Sequence, residues 1–346
     1  MTQIQNKHIM IDGSAGEGGG QVLRSALSLS ILTGRPFAMT EIRGKRRKPG
    51  LMRQHLTAVR AATVISSAKV VGDSIKSMEL EFTPQAVRGG RYEFAVGSGG
   101  SAMLILQTIL LPLCFADSPS EVVIEGGTHN PMAPPFDFIQ RVYLPILERM
   151  GAQVNLRLEQ MGFYPAGGGK IVATIEPIKA LKSLVLDERG ALLGRNARAI
   201  ANHLPASIAE RELVVVRDRL DLSEEDTSAA HFDPAPGMGN VLLLDLKYEA
   251  LTEVFTGFGE NGISAEKVVG KVCTAVERYL KSTAPVGDYL ADQLLLPFAL
   301  AGGGRFTCTA LTKHFKTNVQ TIERFLKIKI QAEREERLAW NITFKK

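Results

Sequence analysis

A strand, a glycine-rich turn and then a helix recur in that order along this chain, and that grammar constrains its fold more than any other feature. The first copy is a strand at 8–12, a turn at 13–20 and a helix over 21–32, with Val22, Leu23, Leu27, Leu29 and Ile31 as its apolar residues. The second is a strand at 92–96, a turn at 97–100 and a helix over 101–115, and the third is a strand at 122–125, Gly126 and Gly127, and a helix near 137–150. A fourth begins at Gly287, continues as a helix near 289–301 and closes on glycines 302–304. Alternating strands at 79–83, 153–158 and 169–176 fall between them. This spacing predicts an α/β fold of repeated βαβ modules, not one doubly wound sheet. Glycine triplets at 18–20, 167–169 and 302–304 hint at the same repetition. Much of the chain's 33 glycines is clustered this way, which points to tight turns and close backbone approach to a ligand.

At 346 residues the chain exceeds one compact core, so more than one domain is expected. Residues 184–282 read differently from the rest. Acidic and basic residues crowd together there (Glu210, Arg211, Glu212; Glu224, Glu225, Asp226), and a polar stretch at 223–239 replaces the glycine turns. An inserted smaller domain is expected at 184–282, with 1–183 and 283–346 forming one large domain. The charge-rich tail from Gln331 reads as a solvated helix or strand flank.

Several function classes are disfavoured by composition. Apolar residues at 45% and charged residues at 22% are ordinary for a soluble protein. The longest apolar run, 102–116, holds Gln107 and Pro112, is shorter than a bilayer span and reads as a buried helix. Residues 1–12 lack the apolar core of a signal peptide. Cys114, Cys273 and Cys308 lie far apart, against a disulfide framework or structural zinc site and in keeping with a reducing cytoplasm. A net charge of +5 mildly favours polyanionic partners without separating nucleic acid from phosphorylated metabolites.

The chemistry-bearing residues cluster in the turns. IDGSAGEGGGQVLR offers backbone N–H groups and a positive helix end to an anion, yet matches neither a Walker loop nor a dinucleotide fingerprint. Glu17 inside it is either an exposed turn residue or one ligand of a divalent cation set between carboxylate and phosphate. Arg43, Lys45, Arg46, Arg47 and Lys48 precede Pro49 and Gly50, and Arg53, Gln54 and His55 then open an apolar helix. Such a run is either a solvated face or a set of guanidinium forks for a phosphate. Gln107 is a satisfied core amide or a ligand contact, and GGTHNPMAPPFDF is a structural turn or a rigid loop able to present flat apolar surface to a base. The six histidines show no metal-binding spacing. His314, between Lys313 and Lys316, is a surface residue or a nucleophile kept neutral by its cationic neighbours.

Taken together, IDGSAGEGGGQVLR, the segment from Arg46 to Ala58, GSGGSAMLILQT, GGTHNPMAPPFDF, GFYPAGGGK, PVGDYLADQLLLPFALAG and His314 resemble the RNA 3′-terminal phosphate cyclase family, in motif order as well as wording. The resemblance runs from about 8 to 325 and is weakest through the insert. Met161 stands where the family pattern carries Arg or His, so no phosphate contact is carried over there. The resemblance implies βαβαββ repeats in a large catalytic domain, a smaller inserted α/β domain, and closure of an RNA 3′-phosphate into a 2′,3′-cyclic phosphate with ATP as co-substrate. It implies a covalent adenylate on His314. It places Gln107, Pro134, Tyr289, Leu290, Ala291, Asp292 and Gln293 around ATP, with Pro134 and Tyr289 against the adenine. Glu17 would hold Mg²⁺ or Mn²⁺, and Arg24, Arg43, Arg46, Arg53, Gln54 and His55 would meet the RNA phosphate terminus. A homodimer is implied as an assembly, and no membrane role. Two rivals are a catalytically inactive relative serving as an RNA-processing scaffold and an enolpyruvyl transferase. The first should lack the nucleophile or the YLADQ segment, and the second gives no reason for GEGGGQ and RQH to occur together.

Overall fold

A computed structural model describes residues 8–232 and 235–346, so most of the stretch read for a leader, and part of the polar stretch at 223–239, lie outside the described residues. The first repeat runs β1 (Ile9–Asp12), α1 (Gly20–Thr33), β2 (Phe37–Thr40), α2 (Arg53–Ser66), β3 (Lys69–Val71) and β4 (Leu80–Thr83). Its sheet has the order β1-β2-β4-β3, with β1 and β2 parallel and the other pairs antiparallel.

The second repeat reproduces it. It comprises β5 (Gly90–Ala95), α3 (Ala102–Cys114), β6 (Ser120–Gly126), a helix, β7 (Gln153–Gln160) and β8 (Gly169–Glu176), in the order β5-β6-β8-β7. Its second helix starts as α4 (Phe136–Phe138), passes through a π-helical turn, Ile139–Tyr143, and ends as α5 (Leu144–Arg149).

The third repeat begins at β9 (Val185–Leu186) and is then interrupted. The interruption holds β10 (Leu192–Asn202), α6 (Ala206–Leu220), β11 (Thr227–Phe232), β12 (Gly239–Tyr248), β13 (Thr252–Phe258) and α7 (Ala265–Leu280). The repeat resumes with α8 (Asp288–Ala301), β14 (Arg305–Cys308), α9 (Lys313–Phe325), β15 (Lys329–Glu336) and β16 (Ala339–Lys345). Its sheet, β9-β14-β16-β15, has the same order and strand directions as the other two.

The expectation of an α/β fold built from βαβαββ repeats therefore holds, and the charged tail is a strand. The glycine triplets, however, do not mark the repeats. The one at 18–20 precedes α1, that at 167–169 leads into β8 and that at 302–304 follows α8, so they occupy different places in their units. What does recur is the turn from first strand to first helix, because a parallel pair must cross over through a helix and the chain must reverse sharply to enter it.

The interrupting segment forms its own sheet, β11-β10-β12-β13. Alternation on β12 explains how both faces are buried. Leu242, Leu244 and Leu246 pack with Leu213, Val216, Val269 and Val276 of α6 and α7, while Val241 and Leu243 join the core of the repeats. Each such fully buried aliphatic side chain contributes about 1.5–3 kcal/mol.

In the repeats, α1 packs on α2, α3 and α9, and α8 packs on α9. Every residue of α3 except Gln107 is buried, as expected of a helix that is apolar all round. No helix among the described residues is long and apolar enough to cross a membrane.

Glu253 on β13 couples the interrupting sheet to α8, for its carboxylate accepts the N–H of Gly287 at 2.5 Å, at the start of that helix. Burial, reinforced by Asp288, pushes its pKa up to about 8. The folded state thus favours the protonated acid, so this contribution to stability is full below the ordinary carboxylate pKa and is lost as pH rises toward 8. Glu253→Gln keeps an acceptor for Gly287 and removes the titration. At pH 8 the variant should melt about 2–4 °C above the parent, the shift roughly 1 kcal/mol produces in a chain of a few hundred residues. The gap should close near pH 5 in a thermal-melt series, and a gap independent of pH would refute the assignment.

Candidate active site

Three helix N-termini converge where the first glycine turn meets α9. The turn is held by close approach: Gly16 has φ +59°, and a Cβ there would lie 2.2 Å from Thr317 Oγ1 on α9. The N–H of Glu17 donates to the same hydroxyl at 3.1 Å. At Gly20, the first residue of α1, a Cβ would lie 2.6 Å from His55 Nε2 on α2 and 2.9 Å from a guanidinium nitrogen of Arg24. Only glycines allow these elements to meet. No side chain caps α1, so its first N–H groups stay available to an anion.

His314 is the second residue of α9, whose start is capped by Thr312 accepting the N–H of Phe315 at 2.9 Å. Its Nδ1 lies 2.5 Å from Gln21 Oε1 and 3.7 Å from Glu17 Oε2. An amide oxygen only accepts, so the ring proton sits on Nδ1 and the Nε2 lone pair is free. Burial, then Arg24 and Arg46, lower its pKa and keep the imidazole neutral.

Glu17 also pairs with Arg46. Arg24 has no carboxylate partner among the described residues; burial lowers its pKa to about 10, so it remains charged. His55 is buried, and burial with Arg43, Arg24 and Arg46 pushes its pKa down to about 3. Its Nδ1 accepts the N–H of Met52 at 3.3 Å, which leaves an Nε2–H directed toward the start of α1.

His314, Glu17, Arg24, Arg46 and His55 thus come together. Arg43, Arg53 and Gln54 are nearby in sequence but already engaged. Arg43, itself at φ +55°, donates to the carbonyls of Lys48 at 2.7 Å and Gly50 at 2.8 Å and clips its own loop. Arg53 donates to the Gly97 carbonyl at 2.7 Å, and Gln54 accepts the N–H of Ser101 at 3.2 Å, so both brace the second glycine turn.

Of the residues expected around ATP, Leu290 and Ala291 are buried inside α8. Asp292 is buried as well, and Thr312 donates to its carboxylate at 2.9 and 3.1 Å, tying α8 to the cap of the helix that bears His314. Burial pushes the Asp292 pKa up to about 7. Gln107, the outward residue of α3, bonds to Gln293. Tyr289 is 78% exposed at the start of α8, and Pro134 stands half-buried on a different element, the loop after β6.

Sequence reasoning missed Gln21 and Thr312. The Gln21 signal was its place directly after the glycine triplet, but its role depends on α9, which is almost 300 residues away. As to a metal, the described residues hold no group of three or more His, Cys, Asp or Glu side chains placed to cage one. A lone carboxylate beside a phosphate cradle does fit Mg²⁺ or Mn²⁺, which take one or two carboxylates together with substrate phosphates.

The repeat fold is of the α/β class, and it gathers a neutral histidine, helix N-termini and guanidinium groups in one place. Comparison with known proteins makes this specific. Residues 15–332 match the family model described as RNA 3′-terminal phosphate cyclase. Proteins of that name are 51% identical in Koribacter versatilis over 331 residues (96% of this chain, 93% of the relative) and 50% identical in Salmonella enteritidis over 328 residues (95% and 96%). Another, from Pseudomonas fluorescens, is 51% identical over 324 residues, 94% of each chain. The chain belongs to the RNA 3′-terminal phosphate cyclase family.

Proposed function

We propose that the chain carries out its family's cyclisation through a covalent adenylate on His314. The observation that carries this is the His314 ring itself, with Nδ1 held by Gln21 and a free Nε2 lone pair beside Arg24 and Arg46. Nε2 attacks the α-phosphorus of ATP, an N–P bond forms, and diphosphate leaves. An oxygen of the RNA 3′-phosphate then displaces the imidazole, giving an RNA–adenylate anhydride. The neighbouring 2′-OH attacks the terminal phosphorus, AMP departs, and the 2′-hydroxyl proton is released. Dividing the transfer at a histidine yields two in-line steps, and activation by AMP supplies the leaving group that a phosphate monoester lacks. Proximity makes the last step intramolecular.

Glu17 is the residue that would hold Mg²⁺ or Mn²⁺, whose contribution is to offset phosphate charge. Gln107, Pro134 and Tyr289 to Gln293 are assigned to the nucleotide, supported by the bond from Asp292 to the cap of α9. Arg24, Arg43, Arg46, Arg53, Gln54 and His55 are assigned to the RNA phosphate end, supported by the approach of His55 and Arg24 to the start of α1. Residues 184–282 are assigned as the inserted domain, supported by a sheet and helices with a core of their own. A cytoplasmic setting is assigned from the three buried, unpaired cysteines.

The test is incubation with [α-³²P]ATP and an RNA 3′-phosphate. Acid-labile, base-stable label on the protein, chased into AMP as a cyclic end appears, is expected; cyclisation without protein label would exclude the covalent route. Glu17→Ala should raise the metal concentration needed for half-maximal labelling, and unchanged metal dependence would leave Glu17 as a partner of Arg46 and not a metal ligand.

A further inference from the structure

At the far end of α1 and α9 from His314 lies a hollow lined by Arg35, Arg324, Lys327, Lys329, Lys345 and Lys346, with Glu323 as its acidic side chain. Glu323 is committed to Lys329 at 3.3 Å and to the N–H of Ile330 at 3.1 Å. Arg35 donates to the carbonyls of Arg324 and Phe325, and Arg324 to that of Met10. Both guanidinium groups are therefore positioned by neutral acceptors; neither forms a salt bridge among the described residues, although Arg324 lies within electrostatic reach of the Asp12 carboxylate.

Two features run against stability. Lys329 and Lys345 are register partners on β15 and β16, and both are exposed, so like charges face each other across the strands. On α9, Lys313 and Lys316 occupy the first turn, where no acid is present and a cation opposes the helix dipole. The exposed residues of that helix and the turn after it are Lys313, Lys316, Gln320, Arg324 and Lys327, spaced three or four apart and so on one face. This stripe bears no carboxylate. It starts beside the nucleophile and reaches the hollow roughly 15 Å further along the axis.

We infer that the exposed face of α9 and the basic hollow at its end form a track for the phosphate backbone of the RNA, upstream of the reacting 3′ end. This rests on RNA being the substrate. Side chains of this kind contact phosphates without reading bases, so the track favours longer RNA regardless of sequence and does so in a salt-dependent way.

The test compares kcat/KM of the full chain on a 3′-phosphorylated dinucleotide and on single-stranded RNAs of increasing length, at several salt concentrations. The parent should prefer the longer RNAs. Lys327→Glu with Lys345→Glu should abolish that preference, and Lys327→Gln with Lys345→Gln should reduce it. The log–log salt slope should be shallower by about 0.7 for each phosphate that is no longer neutralised. Long RNA used equally well by parent and both variants would overturn the track while leaving the cyclase reading intact. Equal losses on the dinucleotide and on long RNA would also overturn it, by locating the effect in the catalytic centre. Failure of the parent to cyclise any RNA 3′-phosphate would remove the underlying reading along with the track.

Discussion

His314→Asn should bring both protein labelling from [α-³²P]ATP and RNA cyclisation below detection, a loss of at least ~10⁴-fold, as removal of a covalent nucleophile does. An asparagine amide has no free lone pair of comparable basicity to attack phosphorus. The fold should survive, because the His314 side chain is 43% exposed and its removal opens no cavity. Surface substitutions of this kind stay within about 0.5 kcal/mol, so far-UV circular dichroism and the melting temperature should match the parent. Normal adenylylation in the variant would move the nucleophile elsewhere, and a collapsed melt would contradict the expectation that His314 serves chemistry and not the fold. Gln21→Ala separates the two roles: the ring remains but its Nδ1 proton is no longer held, so labelling should slow without vanishing.

Gly16→Ala should lower the rate of adenylylation by about a hundredfold or more while sparing the global fold. Two effects add. The backbone at φ +59° is left-handed, which costs an L-residue roughly 1–2 kcal/mol, and the new methyl meets the Thr317 hydroxyl at 2.2 Å. The turn must lift from α9, which breaks the bond from the Glu17 N–H to Thr317 and shifts Glu17 relative to His314. A displacement near 1 Å in a positioned site costs on the order of 10²-fold. Adding Thr317→Ala removes the oxygen that clashes and should recover part of the rate, though not all, since the bond to Glu17 is then broken as well. A Gly16→Ala enzyme that labels itself at the parental rate would show that contact between the turn and α9 is not needed for catalysis.

Much of the local structure was legible because its cause is local. The helix at Gly20–Thr33 and the strand at Gly169–Glu176 follow from apolar spacing, and the turns between strands and helices from glycine's tolerance of φ values other residues avoid. Wording and order of motifs likewise carried the family resemblance and drew attention to His314 and Glu17. The repeat was legible as strand–helix grammar but not as three copies, since the third is split between Val185–Leu186 and α8 by nearly a hundred residues with a sheet of their own. Pairing of β9 with β14 is a long-range hydrogen-bonding event that no local pattern records.

The sequence by itself determined which residues could do chemistry; the tertiary structure decided how their atoms are used. Arg43 and Arg24 are both arginines beside glycine turns, yet one spends its donors on the carbonyls of its own loop and the other has no carboxylate partner among the described residues. Gln107 could have been a core amide, and only the burial of every other α3 residue and its bond to Gln293 place it facing α8. His314 gains its free Nε2 from Gln21, on a helix that meets α9 only after the chain has folded. Hydrogen-bond partners, tautomers and pKa shifts depend on distances between segments remote in sequence, and those distances are set by packing.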